Sequence, residues 1–411
     1  MPLLKKICRE SQGIMGGTCA SRFASLRPRR RPLPDTMPKC FSPARVLFVI
    51  AIACLTTAST TAIPRYDIVS RYSPVRNASS TSTPMQVGNG FFAFGADITG
   101  LQTFQPWAIM SDWGWKNDSL PAGVTEEDIL AYRGVMWNGV QYEFGGPAAP
   151  QQWLISNPNR ANLGRVGLLF KDAQGVIANV TEAALGDVHQ QLDLWTGRMT
   201  SNFTVQGHDV SVETFAAQGS SAVAFNIHSD LLSAGRLGLF LDFPWNDGSQ
   251  KFQAPFVGYW NVTANHTTQL KVGSGLGANV QAEINHTEVA ATVFTSIGGG
   301  SSFMISRDSP ASHRYSITPS SPSSSFSIVI SYSLVPSTSI PTATAVAEGS
   351  TTTWADYWSY SGFIDVYTGS TDPRADELQR RVVLSRYLMR VNEAGHTSPQ
   401  EVNAFRSFEM L

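Results

Sequence analysis

The chain has 411 residues, 15% of them charged and 42% hydrophobic, and a formal net charge of −1. That balance hides an asymmetry: ten basic residues but only Glu10 and Asp35 lie at or before Ala62, leaving 20 basic and 29 acidic residues beyond it. A body of that sign argues against general nucleic-acid binding, which needs clustered Lys and Arg. Ten Trp, 11 Tyr and 22 Phe exclude disorder over most of the length.

Residues 1–62 read as an address. Val46 to Leu55 is an unbroken apolar run, preceded by Lys39 and Arg45 and followed by small residues. This is the layout of a secretory signal with cleavage near Ala62 or Ala58. The run is too short to span a bilayer, so no stable membrane span is expected once the signal is removed. Met37 would give a compact signal, and a true start there accounts for the long basic stretch ahead of the run. Sequons at Asn77, Asn117, Asn179, Asn202, Asn261, Asn265 and Asn285 fit an exported, N-glycosylated protein. Cys8, Cys19, Cys40 and Cys54 all precede Ala62, so the mature chain must rely on a large core rather than on disulfides.

Residues 63–335 read as β-structure. Gly88-Asn89-Gly90-Phe91-Phe92-Ala93 has the loose form of a dinucleotide fingerprint, but strand-like residues follow it, so a tight turn is expected. Thr125 to Arg133 is the best helical pattern, with Thr125 as cap and Glu126, Glu127 and Asp128 in its first turn. Met199, Ser201, Phe203 and Val205 alternate with Thr200, Asn202 and Thr204. Phe326, Ile328, Ile330, Tyr332 and Leu334 do the same with their neighbours. Many strands without intervening helices indicate a sandwich or barrel. Residues 336–371, rich in Ser, Thr and Pro at their start, read as a linker. In 372–411, Asp372-Pro373 should open a helix reaching about Glu393, with one stripe of Leu378, Val382 and Met389. A second, broader side carries Val383, Leu384, Tyr387, Leu388 and Val391.

Chemical motifs are few. No zinc-ligand spacing and no Ser elbow occur, and no cofactor or metal is expected. The seven His (His189, His208, His228, His266, His286, His313, His396) are scattered, several of them in sequons or turns, and read as surface residues. Trp107, Trp113 and Trp115 with Asp112 combine aromatic faces with a carboxylate, which suits sugar contact, although core packing accounts for them as well.

Two stretches carry a family likeness: Met85 to Trp115 (MQVGNGFFAFGADITGLQTFQPWAIMSDWGW) and Trp354 to Gly395 (WADYWSYSGFIDVYTGSTDPRADELQRRVVLSRYLMRVNEAG). Leu192 to Phe243 adds to it. Together they resemble the fungal secreted branch of the six-hairpin glycosidase-like proteins, related to glycoside hydrolase family sixty-five. The resemblance implies a large antiparallel β super-sandwich, a linker, and the first helix of an (α/α)6 barrel that is otherwise missing, so that the chain reads as truncated. It implies carbohydrate as the partner and a catalytic barrel that would hold the acid. No catalytic residue carries over to this chain. Asp112, Trp113 and Trp115, with Gln400 and Glu401 at the edge of the likeness, are the candidate sugar contacts. The expected function is the N-terminal part of a secreted glycoside hydrolase, inactive alone, or alternatively a non-catalytic carbohydrate-binding or scaffold module. A stand-alone sugar epimerase would need a His and Glu pair, for which the sequence offers no defensible counterpart.

Overall fold

The structure, a computed structural model, describes residues 62–137, 140–142, 148–250, 257–289 and 291–396. The expected address and the candidates Gln400 and Glu401 lie outside these residues.

The architecture is mainly β, and the strand pairings are antiparallel throughout, apart from one isolated parallel bridge. The largest sheet has nine strands, in the order Val75–Arg76, Gly186–Asp193, Arg198–Val205, His208–Ala216, Ala222–His228, Ser325–Ser333, Ala291–Gly298, Val280–Glu288 and His266–Val272. A four-stranded sheet runs Phe303–Arg307, Arg314–Pro319, Leu237–Asp242, Arg165–Phe170, and a three-stranded one Met85–Gly88, Phe92–Ala96, Met110–Ser111. Side chains from all three sheets share one apolar core, among them Phe94, Phe225, Leu239, Ile284 and Ile328. Burial of apolar area on that scale is the dominant stabilising term.

The alternation read in Arg198–Val205 is the alternation observed: Met199, Ser201, Phe203 and Val205 are buried while Asn202 faces out. The strand Ser325–Ser333 departs from it, because Val329 and Ser331 are buried too. Its second face is covered by a helix. Between Met85–Gly88 and Phe92–Ala96 the chain makes the expected tight turn, with Gly90 at φ +99°.

Six α-helices occur among the described residues: α1 (Arg65–Arg71), α2 (Glu126–Ala131), α3 (Ala149–Ser156), α4 (Asp230–Ser233), α5 (Ala343–Tyr360) and α6 (Ala375–Asn392). In α2 the Thr125 hydroxyl accepts from the Asp128 amide and the Asp128 carboxylate accepts from the Thr125 amide, a complete capping box. Helices α1, α3 and α4 fall where only strands were expected; all are short, with too few turns to display a period.

The stretch read as a linker is corrected at α5. Thr342 caps this helix, and Val346, Ser350, Trp354 and Trp358, four residues apart, form its buried stripe. The Ser/Thr content masks a helix whose stability comes from tertiary packing rather than propensity. Trp358 Nε1 donates to Leu194 O at 2.7 Å and Ser350 Oγ to Thr196 O at 3.0 Å, fixing the helix to the turn after Gly186–Asp193. Helix α6 begins two residues later than expected: Asp372 caps a preceding turn, accepting from the Arg374 amide. Its broad apolar side is buried through Val383, Tyr387, Leu388 and Val391, whereas Leu378 and Met389 are about half exposed. Tyr387 stacks on Trp354 with ring centroids 4.5 Å apart.

Candidate functional site

The short strand Trp115–Lys116 pairs with Asn159–Arg160 and turns the Lys116 side chain inward. Its Nζ lies 2.6 Å from Asp118 Oδ1, 3.3 Å from Glu288 Oε2 and 4.2 Å from the centre of the Trp245 ring. Glu288 is the last residue of Val280–Glu288. Its Oε1 accepts from Asn246 Nδ2 at 2.6 Å and its Oε2 from the Asn246 amide at 3.3 Å. Burial pushes the Glu288 carboxyl up to about 7, against the opposing pull of Lys116 and Asn246. Asp118 is braced separately: its Oδ2 accepts from the Gly248 amide at 2.7 Å and from Asn159 Nδ2 at 3.1 Å.

A chain of histidines extends behind Glu288. His286 Nε2 lies 3.4 Å from Glu288 Oε1 and 2.8 Å from His266 Nδ1, and the His266 ring packs 3.9 Å from that of His313. His313 Nε2 donates to Thr263 O at 2.9 Å, so its Nδ1 accepts from the Thr268 hydroxyl, which in turn accepts from Tyr315. Burial holds all three imidazoles below their ordinary range, His266 at about 3 and His286 well down. They are neutral at physiological pH.

The expectation that each histidine is a surface residue is therefore corrected for His266, His286 and His313, all of them buried. The misleading feature was the sequons Asn265-His266-Thr267 and Asn285-His286-Thr287. In a strand, neighbours point to opposite faces, so an outward Asn leaves the next residue inward. The signal that could have found them is phase: His286 and Glu288 share the two-residue register of Ala282 and Ile284, both buried. The same register places His286 beside Glu288 on one face of the strand.

Beside Lys116 and Glu288 opens a cleft lined also by Trp113, Trp115, Asn162, His286, Val293 and Leu334. Trp113 and Trp115 thus come together at one opening. Asp112 does not join them there. Its Oδ2 accepts from the His396 amide at 3.1 Å, just past the end of α6, and its carbonyl accepts from Trp115 Nε1 at 2.8 Å. Trp107 is buried in the core and takes no part. Among the described residues, no group of three or more His, Cys, Asp or Glu is arranged to hold a metal ion, and no helix is long and apolar enough to cross a membrane.

No family model and no curated protein matches the chain. Among solved structures it is similar to a putative kojibiose phosphorylase from human microbiome, at 10% identity and a TM-score of 0.36, over 78% of this chain and 39% of that one. It is also similar to a bacterial glucoamylase complexed with acarbose, at 9% identity and a TM-score of 0.36, over 78% of this chain and 42% of that one. The chain therefore spans less than half the length of either. Likeness at that level assigns no role to any residue.

Proposed function

We propose that this chain is the sandwich portion of a secreted, carbohydrate-active protein of the glycoside hydrolase class. One observation carries the reading: the two stretches that bear the sequence resemblance, far apart in the chain, pack on each other. Tyr387 OH of α6 donates to Gln86 O at 3.0 Å, the Gly90 amide to Val391 O at 3.0 Å, and the His396 amide to Asp112 Oδ2. A Cβ on Gly90 would lie 2.6 Å from Ala394, so this contact needs glycine at the turn. The resemblance implies such a junction where a sandwich meets its first barrel helix. In this reading α6 is that helix, and Asp112 ties its end to the segment that carries Trp113 and Trp115.

The chain alone is proposed to hydrolyse nothing. Glycoside cleavage needs an acid and a second carboxylate on opposite sides of the scissile bond, several ångströms apart. Asp118 and Glu288 instead converge on a single ammonium. The test is to assay the chain, and a version completed from the reading frame downstream of codon 401, against disaccharides and aryl glycosides with and without phosphate. Activity of the completed version alone is expected. Turnover by the short chain that disappears when one of its own carboxylates is replaced would overturn the reading.

A further inference from the structure

We propose that the cleft beside Lys116 is a binding site for the hydroxylated edge of a neutral sugar ring, with Trp113 and Trp115 as its aromatic wall and Glu288 as the hydroxyl acceptor. The site lies apart from Asp112 and deepens the carbohydrate reading on which it rests.

Charge selects the ligand class. The Lys116 ammonium is already matched by Asp118 at 2.6 Å and faces Glu288 at 3.3 Å, so its charge is not left over for a phosphate or carboxylate, and the Arg160 guanidinium is drawn onto the Trp115 ring, 4.8 Å from its centre. His286, the other basic group on the lining, is neutral. A cation finds Lys116 in its way. A neutral ligand with an apolar face and a hydroxyl edge matches indole and aliphatic walls over a polar floor. A carboxylate has about four acceptor positions. Glu288 uses two on Asn246 and one on Lys116, leaving capacity for one ligand hydroxyl.

The same floor makes binding sensitive to pH. The titratable and charged groups facing Glu288 are Lys116 and Asp118 on one side and His286, backed by His266, on its own sheet; His313 and Arg307 lie behind His266. With the imidazoles neutral, Glu288 is the group in the cleft that changes charge near neutrality. An ionised carboxylate is the stronger acceptor, so affinity should rise by up to about tenfold from pH 6 to pH 8.

The experiment is ligand-observed NMR on the full chain with glucose, methyl glucoside and glucose 1-phosphate. The neutral sugars should bind and the phosphate ester should bind several-fold more weakly. Trp115→Ala should weaken binding by about tenfold, while Glu288→Gln should retain binding but flatten its pH dependence. Ala291→Trp, on the cleft lining at the position paired with Glu288, fills the cleft without removing any of its polar groups; it should abolish binding and covers the case in which a floor variant fails to fold. Absence of binding at either pH, binding indifferent to Trp115→Ala and Ala291→Trp, or a pH dependence that survives Glu288→Gln would each overturn the proposal. Hydrolysis by the completed version alongside a silent cleft would sink this inference alone.

Discussion

Lys116 keeps a strongly hydrated ammonium almost wholly out of water, with 1% of its side chain exposed. That arrangement persists only because Asp118, Glu288 and the Trp245 face replace the lost hydration. Removing the cation strands two carboxylates in the interior. Lys116→Met should therefore cost about 3–5 kcal/mol, read by urea denaturation; a loss under 1 kcal/mol would mean that the carboxylates find water. Glu288 gives a signed pH test. Its folded-state pKa is raised from 4.5 to about 7, so the stability it contributes is fully present below pH 4.5 and is lost as pH climbs through 7. Comparison with Glu288→Gln cancels the histidines, which are common to both proteins. The stability of wild type relative to the variant should fall across that window, and a difference that stayed flat or grew would contradict the assignment. Little of this site was legible in the sequence. Lys116, Trp245 and Glu288 are far apart along the chain, and only the fold of the large sheet brings them together. Asp112, Trp113 and Trp115 were legible as a cluster, but not their division between the cleft and the end of α6.

At the scale of elements, strands were the legible part because alternation is a local property, as in Arg198–Val205. Helix α5 was not, since its buried stripe has meaning only against the sheet it covers, where Phe215, Ala224 and Val329 meet Ala343 and Val346. Trp354 is the anchor of this layer, packed on both Trp358 and Tyr387. Trp354→Ala should cost about 3–5 kcal/mol. Gly197→Ala should be severe for a methyl group: φ is +66°, and the added Cβ would lie 2.2 Å from the Trp354 ring. Normal thermal unfolding of Gly197→Ala would show that α5 can shift away from the turn. Helix α6 provides the contrast. Leu378 and Met389 are half exposed, whereas Val383 and Val391 are buried. The double replacement Leu378→Lys with Met389→Lys should leave stability within about 0.5 kcal/mol and lower any self-association, while Val383→Ala should cost at least twice that. Equal losses would place the exposed stripe in a packed interface.

For the whole molecule, the large core and the surface together frame the question of export. No cysteine follows Ala62, so the folded body is held by apolar burial that joins three sheets and four helices, as a domain without disulfides requires. The structure sorts the seven sequons by exposure. Asn77, Asn179, Asn202, Asn261 and Asn265 are exposed, and Asn202 stands on the outward face of its strand. Asn117 and Asn285 are half buried, next to Lys116 and His286 respectively. A glycan is bulky and hydrated, so it is compatible with the native fold at the first five positions and obstructs packing at the other two. If the protein is exported as proposed, the secreted material should carry glycans at the exposed asparagines and none at Asn117 or Asn285. Enzymatic deglycosylation in heavy-oxygen water followed by peptide mass mapping reads this directly, because each occupied Asn is converted to labelled Asp. An unmodified, cell-retained product would remove the export proposal. Full occupancy of Asn285 in folded, secreted protein would instead mean that the strand Val280–Glu288, one in from the edge strand His266–Val272, leaves room for a glycan, and with it that the floor of the cleft is open.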